Sequence, residues 1–329
     1  MAEASTGRHT GAKATMDDLC GEWLVELERK NRKPTTIYNY ERRYRHDIQP
    51  TLGRTQVRKV TPKMVSDLLL AHQRRGVSAG SVGTIHIVLS SMLTQACRWG
   101  WRDDNPARWI EKPSRDDVVP IVPTPEEVRA LIEAARQSKR PEYARFFLLS
   151  ATTGLRRGEM CGMRFTDIDQ ETGVLTVRTG ITHVPGRPRI EGSSKNRRMR
   201  AVALGPRALG LVEAQRKLML DRAAEVEGKL DGEAFVFSDA ADGGVPWRPD
   251  STTQYFTRLR SATDVRQEVK LKHLRKFMET YGQSLGFSLA DVALRAGHDP
   301  AVAGRFYTGR VAESDYALAS EIESLLDRP

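Results

Sequence analysis

The stretch Thr153-Gly154-Leu155-Arg156-Arg157-Gly158-Glu159 is the first of five short polar motifs in the second half of this chain. The other four, in chain order, are Lys195, Lys272-His273-Leu274-Arg275, Ala296-Gly297-His298 and Tyr307. Tyr307 follows His298 by nine residues. Any one of these motifs occurs by chance in many proteins. The information therefore lies in their order and spacing.

The chain carries an excess of positive charge. Its 329 residues include 52 Lys and Arg against 42 Asp and Glu, which gives a formal net charge of +10. A basic balance of this size favours a polyanionic partner, and nucleic acid is the first candidate. The alternative is a soluble protein that is merely basic. The length is sufficient for two domains that each bury a core of their own.

The three cysteines, Cys20, Cys97 and Cys161, argue against a disulfide framework and against a metal site. None forms a Cys-x-x-Cys pair, and none lies near a histidine at metal-ligand spacing. The first 15 residues contain no apolar run of signal-peptide length, and no later segment is apolar enough for a membrane span. We therefore expect reduced thiols in a cytoplasmic protein with no membrane partner.

An all-helical domain is predicted over residues 16–112. Four helix starts, indicated by apolar residues at helical spacing and by prolines in first turns, lie at Met16, Pro34, Pro62 and Ser81. Residues 1–15 are rich in Ala, Gly, Thr and Ser without periodicity, and this composition predicts a flexible tail. Residues 113–124 include Pro113, Pro120 and Pro123, which interrupt regular hydrogen bonding and predict a linker.

A second domain is predicted over residues 125–329. Strand-forming residues between Val174 and Leu204, interrupted by the turn Pro185-Gly186-Arg187-Pro188, predict a small antiparallel β-sheet within a helical domain. The segment from Glu313 to Asp327 predicts a last helix, because Leu318 and Ile322 fall on one face. The predicted fold class is therefore mainly α with a small antiparallel β-sheet.

Together the five polar motifs resemble the active site of the tyrosine recombinases, the phage integrase family. The resemblance covers the chain from about Thr124 to the C-terminus and, more loosely, back to about Met16. It implies a helical core-type DNA-binding domain at 16–112 and an α+β catalytic domain with a C-terminal helix at 125–329. It also implies an enzyme that cleaves and rejoins DNA through a 3′-phosphotyrosine intermediate, with no metal or nucleotide cofactor.

Tyr307 is the nucleophile that the resemblance implies. A phenoxide is also a tolerable leaving group, so the covalent bond conserves the energy needed for rejoining. Tyr281 and Tyr316 are rivals in the same domain, but neither stands at the family's interval from the Gly-His pair.

Lys195 matches the lysine that protonates the leaving 5′ oxygen as a general acid. An ordinary phosphate contact in a basic loop is the alternative for Lys195.

Arg156 and Arg275 would bind the non-bridging oxygens of the scissile phosphate, because the guanidinium fork donates two parallel hydrogen bonds and stays charged. His298 would donate a further hydrogen bond to the phosphate. Glu159 lies three residues after Arg156, on the same helix face, where the family has an acidic residue that supports the arginine.

One motif departs from the family pattern. The family has His-x-x-Arg where this chain has Lys272 three residues before Arg275, with His273 one place further on. Successive helical residues point about 100° apart, so His273 cannot simply replace a residue at the preceding position. We assign Lys272 to the site as a phosphate ligand. A lysine is a poor base at neutral pH, which leaves acid-base chemistry at this corner open.

The expected partner is double-stranded DNA at specific attachment or core sites, bound by a homo-tetramer with or without accessory bending or directionality proteins. The residues that we expect to contact DNA phosphates are Arg32, Lys33, Arg42, Arg43, Arg197 and Arg198. A solvated helix face is the alternative for the N-terminal clusters. The C-terminal helix would dock on a neighbouring protomer or pack in cis. The expected location is the nucleoid-associated cytoplasm of a bacterial cell or phage-infected host.

Integration or excision of a phage or mobile element is the role that the resemblance favours. Two alternative functions share some of these features. A type IB topoisomerase would use the same chemistry without strand exchange. A DNA-binding regulator derived from a recombinase would lack the chemistry, and Lys272 would then be an early sign of its loss.

Overall fold

The structure is a computed structural model, and it describes residues 13–111, 120–193, 199–297 and 313–327. The chain divides into two compact units, Met1–Val119 and Pro120–Pro329. Both are mostly helical, and two small antiparallel sheets lie in the second unit. The predicted fold class is confirmed. None of the helices in the described part of the chain has the length and apolar character that a membrane crossing needs.

The regular secondary structure described in the first unit is helical. Their bounds are α1 Met16–Arg29, α2 Pro34–Arg43, α3 Gln49–Leu52, α4 Pro62–Arg74 and α5 Ala79–Arg98. A π-helical turn, Tyr44–Ile48, joins α2 to α3, so the second predicted helix is longer and less regular than its start suggests. Short 3-10 turns follow at Val57–Lys59 and Pro106–Trp109.

Side-chain caps explain where the long helices of this unit begin. Thr15 and Asp18 form a reciprocal capping box at α1, and Thr61 and Ser78 accept backbone N–H groups at the starts of α4 and α5. The apolar faces of these helices enclose one core. Trp23 lies in that core, and its ring stacks on Tyr40 with the centroids 5.3 Å apart.

The second unit contains eight helices among its described residues. Their bounds are α6 Pro125–Arg136, α7 Glu142–Thr153, α8 Arg157–Gly162, α9 Pro206–Glu225, α10 Pro249–Arg260, α11 His273–Ser284, α12 Leu289–Ala296 and α13 Glu313–Asp327. Helix α7 lies at the centre of the core, with every described side chain except one buried. Its Phe146 and Phe147 are fully buried.

Within the described residues of this unit, five strands form two sheets. They are β1 Ile168–Asp169, β2 Val174–Val177, β3 Thr179–Thr182, β4 Ile190–Ser193 and β5 Arg200–Ala203. The first sheet has the order β1-β2-β5 and the second pairs β3 with β4, all antiparallel. The sequence predicted one sheet and not two. Strand β4 escaped prediction because Gly192 and Ser193 are weak strand formers, and its conformation comes from pairing with β3.

The C-terminal helix α13 packs in cis, on the unit that contains it. Leu318, Ile322 and Leu326 are buried in the common core. Glu323 is also buried, and its carboxylate accepts the backbone N–H groups of Arg207 and Ala208, at 3.2 and 3.0 Å. Those N–H groups lie in the first turn of α9, where a carboxylate satisfies donors that have no helical partner. Of the two arrangements left open by the sequence, the structure has the cis one.

Candidate active site

A tight loop between α7 and α8 presents Arg156. Gly154 ends α7 with a left-handed backbone, φ 66°, which favours glycine. A Cβ atom at this position would also overlap the terminal methyl of Met278 on α11, so that side chain would have to move. Leu155 is buried, and Arg156 then stands at the N-cap of α8. The loop therefore holds Arg156 between two packed helices.

Arg156 is held by three hydrogen bonds. Its Nη1 donates to Glu159 Oε1 and its backbone N–H donates to Glu159 Oε2, both at 2.9 Å. Its Nη2 donates to the carbonyl of Gly297 at 2.8 Å. The structure thus brings together Arg156 and Glu159, as the sequence pattern suggests. It also places Arg156 beside the residue that directly precedes His298.

Arg200, which the sequence analysis did not assign to the site, completes the carboxylate's coordination. It lies at the start of β5, is buried, and donates to both oxygens of Glu159 at 3.2 and 2.7 Å. Burial alone would raise the pKa of Glu159, but the hydrogen bonds and charges of Arg200 and Arg156 lower it to about 2. Glu159 is therefore ionised at neutral pH and shared between two arginines.

Arg275 lies in the first turn of α11 and points into the same cluster. Its Nε donates to Glu279 Oε1 and its Nη1 donates to the carbonyl of Gly154, both at 3.0 Å. Burial lowers the pKa of Arg275 to about 10, and the positive charges of Arg156 and Arg200 act in the same direction. The two neighbouring guanidinium groups thus make protonation of Arg275 less favourable. With a pKa of about 10, Arg275 still carries its charge at neutral pH.

The cluster has an excess of positive charge that suits a phosphate. Arg156, Arg200 and Arg275, with Lys276 donating to Glu279 at 2.7 Å, place four cations against two carboxylates. The side chain of Arg156 is 34% exposed and that of Arg275 is 14% exposed, so a ligand can reach both. A phosphodiester would supply the missing negative charge and accept hydrogen bonds from the guanidinium forks.

Lys272 and His273 have different environments at the start of α11. Lys272 is exposed at the N-cap position. His273 is buried, and its Nδ1 accepts the backbone N–H of Lys270 at 3.1 Å. Burial lowers the pKa of His273, and Lys272, Lys270 and Lys276 add to the effect. The imidazole therefore stabilises the turn, and of Lys272 and His273 it is Lys272 that is exposed.

Lys195, His298 and Tyr307 lie outside the described residues, as do Arg197 and Arg198. Described residues lie close in sequence to two of them, Lys195 and His298. Strand β4 ends two residues before Lys195, and Gly297 closes α12 with φ 67° immediately before His298. A Cβ atom at Gly297 would lie 2.8 Å from the guanidinium of Arg200, and the positive φ also favours glycine at this position.

The two rival tyrosines make contacts within the second unit. The hydroxyl of Tyr316 donates to the carbonyl of Thr172 at 2.9 Å. The ring of Tyr281 packs against Phe277, with the centroids 4.6 Å apart. Burial raises the pKa of Tyr281, which disfavours its phenoxide.

Arg295 is a second buried cation that the sequence analysis missed. Its guanidinium donates to the carbonyls of Thr152 and Ala203, each at 3.0 Å, and to Asp315 Oδ1 at 2.7 Å. It therefore ties α12 to α7, β5 and α13. The one signal available in the sequence was an arginine on the otherwise apolar face of α12, three residues after Val292.

The proposed DNA-contacting residues of the first unit differ in exposure. Arg32 and Lys33 are exposed in the turn before α2, and Arg42 is exposed near its end. Arg43 is partly buried and donates to Asp47 at 2.9 Å, so part of its charge is already neutralised. No group of three or more His, Cys, Asp or Glu side chains that could hold a metal ion occurs within the described ranges.

The chain is similar to known proteins over both of its units. A family model described as "Phage integrase family" matches residues 122–309, and one described as "Phage integrase, N-terminal SAM-like domain" matches residues 15–69. Among curated proteins, a tyrosine recombinase XerC-like protein of Caldanaerobacter subterraneus subsp. tengcongensis is 28% identical over 182 residues, which span 52% of this chain and 44% of that protein. A putative prophage phiRv2 integrase of Mycobacterium tuberculosis is 22% identical over 330 residues, covering 98% of this chain and 82% of that one.

Solved structures share the fold. The Tn1549 transposon integrase in complex with a circular intermediate DNA superimposes with a TM-score of 0.71 at 20% identity, covering 94% of this chain and 99% of that one. A lambda integrase tetramer bound to a Holliday junction has a TM-score of 0.66 at 20% identity, covering 95% of this chain and 85% of that one.

Proposed function

Because this chain belongs to the phage integrase family, the tyrosine recombinases, we propose that it is a site-specific recombinase that cleaves and rejoins DNA through a 3′-phosphotyrosine intermediate. The observation that carries the proposal is the arginine cluster. Arg156 and Arg275 converge from α8 and α11, each anchored by a carboxylate, with the carbonyl preceding His298 bonded to Arg156. Such a preorganised group of cations stabilises the charge of a pentacoordinate phosphorus.

The proposed chemistry uses side chains alone. The Tyr307 oxygen bonds to phosphorus while the phenol proton passes to solvent water, and the bond from phosphorus to the 5′ oxygen breaks. Lys195 gives its proton to that oxygen, which leaves as a hydroxyl. Arg156, Arg275, His298 and Lys272 stabilise the transition state. Rejoining is the reverse attack by a 5′ hydroxyl on the phosphotyrosine, which restores the phosphodiester and the tyrosine.

The biological role that we propose is integration or excision of a phage or other mobile element. The names of similar proteins support it, since they include a prophage integrase and a transposon integrase bound to DNA. We propose that residues 16–112 form the core-type DNA-binding domain, that 113–124 link it to the catalytic domain, and that residues 1–15 form a tail. Arg32, Lys33 and Arg42, with Arg197 and Arg198, would contact phosphates.

We propose assembly as a homo-tetramer on DNA, supported by the lambda integrase tetramer on a Holliday junction. The proposed setting is the nucleoid-associated cytoplasm of a bacterial cell or phage-infected host, with or without accessory DNA-bending and directionality proteins. Helix α13 would have to leave its cis position if it joined a neighbouring protomer in such an assembly.

The test is covalent trapping on nicked suicide substrates made from the DNA that flanks the reading frame. The wild-type protein should form an adduct that survives denaturing electrophoresis, and Tyr307→Phe should form none. Tyr316→Phe is the matched control and should retain the adduct. An equal adduct with Tyr307→Phe would contradict the assignment. Relaxation of a supercoiled plasmid without a specific site would favour the topoisomerase alternative, and binding without any adduct would favour the regulator.

A further inference from the structure

A cavity of about 250 Å³ lies in the second unit, between the loop that joins β3 to β4 and the segment before α10. We call it the hairpin cavity. Four of its lining side chains are His183, Arg187, Arg189 and Arg248. The remaining lining residues are glycine, valine and proline, with no Asp or Glu. The lining is therefore strongly biased towards an anionic ligand.

The arginines of the hairpin cavity keep donors that the described protein does not use. Arg187 and Arg248 are exposed, and neither makes an ion pair with another described residue. Arg189 donates from Nη2 to Asp239 at 3.0 Å, but its Nε is buried without a hydrogen-bond partner. A buried N–H group without an acceptor is unfavourable, so an anion that reaches Arg189 would gain a hydrogen bond at little cost.

A series of contacts links the hairpin cavity to the loop that carries Arg156. Helix α8 packs so closely on β3 that a Cβ atom at Gly158 would lie 2.6 Å from the carbonyl of Ile181. Arg157, the neighbour of Arg156, donates to Thr253 of α10 at 2.7 Å and lies 3.1 Å from Asp250. The other oxygen of Asp250 lies 3.5 Å from His183. Contacts thus run without a gap from Arg156 to the wall of the cavity.

We propose that the hairpin cavity binds a backbone phosphate of the DNA duplex, close to the phosphate held by Arg156 and Arg275. This inference rests on the proposed function, since it takes DNA to be the ligand of the cluster. A duplex carries one negative charge per about 1.7 Å of its axis, so DNA at Arg156 brings other phosphates to the surface beside it. A second anchored phosphate sets the register of the strand, so that the scissile bond meets the nucleophile.

The first test is the salt dependence of DNA binding. The double variant Arg187→Ala/Arg248→Ala should reduce the slope of log K against log salt by about 0.9 for the phosphate contact that it removes. Lys217→Ala removes an exposed cation from α9, outside the cavity, and should leave the slope unchanged. Both changes are at exposed positions, and an unchanged thermal midpoint will show that the fold is intact. An unchanged slope in a folded double variant overturns the proposal.

The second test locates the phosphate. Uncharged methylphosphonates are placed one at a time in the DNA on either side of the cleavage position. One substitution should weaken binding to wild type and have no further effect in the double variant. Independent effects of the two changes would overturn the subsite. A wild-type protein that neither binds nor cleaves DNA would instead overturn the proposed function. Failure of the subsite and failure of the proposed function are therefore distinguishable.

Thermal unfolding with added inorganic phosphate tests whether the cavity binds a phosphate of DNA or a free anion. At constant ionic strength the added phosphate should protect wild type and double variant equally against thermal unfolding. Selective protection of the wild type, together with a methylphosphonate effect that persists in the double variant, would assign the cavity to a free anion and overturn the proposal.

Discussion

Arg200 and Arg156 share one carboxylate: Arg200 donates to both oxygens of Glu159, while Arg156 donates to the same oxygens from Nη1 and from its backbone N–H. The arrangement has an electrostatic consequence. With Arg156 alone, Glu159 would neutralise the charge that a phosphate needs. Arg200 offsets the carboxylate, so Glu159 can orient Arg156 and leave a net positive charge at the site.

Arg200→Ala should therefore impair both stability and cleavage. It leaves a buried carboxylate short of a partner, which costs about 3–5 kcal/mol of unfolding free energy. It also lets Arg156 shift, and misplacement of this kind lowers a rate by about 100-fold. Denaturant unfolding and single-turnover cleavage measure the two effects. Arg200→Lys should recover part of both, and unchanged cleavage in folded Arg200→Ala would refute the positioning role.

Arg275→Ala should lower the rate of the chemical step more than DNA affinity. Loss of one preorganised donor to a transition state costs about 10²–10³ in rate. Arg275→Lys keeps the charge and loses the guanidinium fork, so its cleavage rate should fall between those of the wild type and Arg275→Ala. Single-turnover cleavage at saturating DNA, beside equilibrium binding, provides the comparison. A loss confined to affinity would assign Arg275 to binding alone.

Lys272→Ala and His273→Ala should have opposite signatures. Lys272 is exposed, so its removal should leave the thermal midpoint unchanged and lower the cleavage rate. His273 is buried, and its removal leaves the N–H of Lys270 without its acceptor, which costs about 1–3 kcal/mol. Its effect on cleavage should follow stability. A folded, stable His273→Ala that fails to cleave would move the catalytic assignment from Lys272 to His273.

Acid should destabilise the second unit through Glu159. The folded protein lowers the pKa of this group from 4.5 to about 2, so its stabilising contribution is complete above pH 4.5 and is lost as the pH falls towards 2. The full contribution corresponds to about 3 kcal/mol at neutral pH. Unfolding free energies measured across this range should fall less steeply for Glu159→Gln. Glu213→Gln, at an exposed position, is the control. Parallel curves of unfolding free energy against pH for wild type and Glu159→Gln would contradict the lowered pKa of Glu159.

Local signals in the sequence predicted the helical framework. Pro34 and Pro62 begin helices because proline in the first turn forfeits no hydrogen bond, and the structure has both starts. Strand β4 was missed because Gly192 and Ser193 have low strand propensity and are held by pairing with β3. Propensity decides an element only where long-range contacts do not override it.

The site was predictable only in part. Motif order and the family resemblance led us to propose Arg156, Glu159 and Arg275, which lie together in the structure. Arg200 and Arg295 were not assigned because a buried arginine looks like an exposed one in the sequence, and its partners are remote in the chain. Lys195, His298 and Tyr307 stay predictions from the motifs, since they lie outside the described residues.

The contacts of Ala203 have a consequence for solubility. Among the described strands, β5 is the last in its sheet and pairs with β2. On the other side, Asp315 accepts the N–H of Ala203 at 2.7 Å and Arg295 donates to its carbonyl at 3.0 Å. An exposed strand margin of this kind is a template for aggregation between copies. Asp315 and Arg295 occupy this edge at Ala203, so an invading peptide would have to displace their ion pair before it could extend the sheet there.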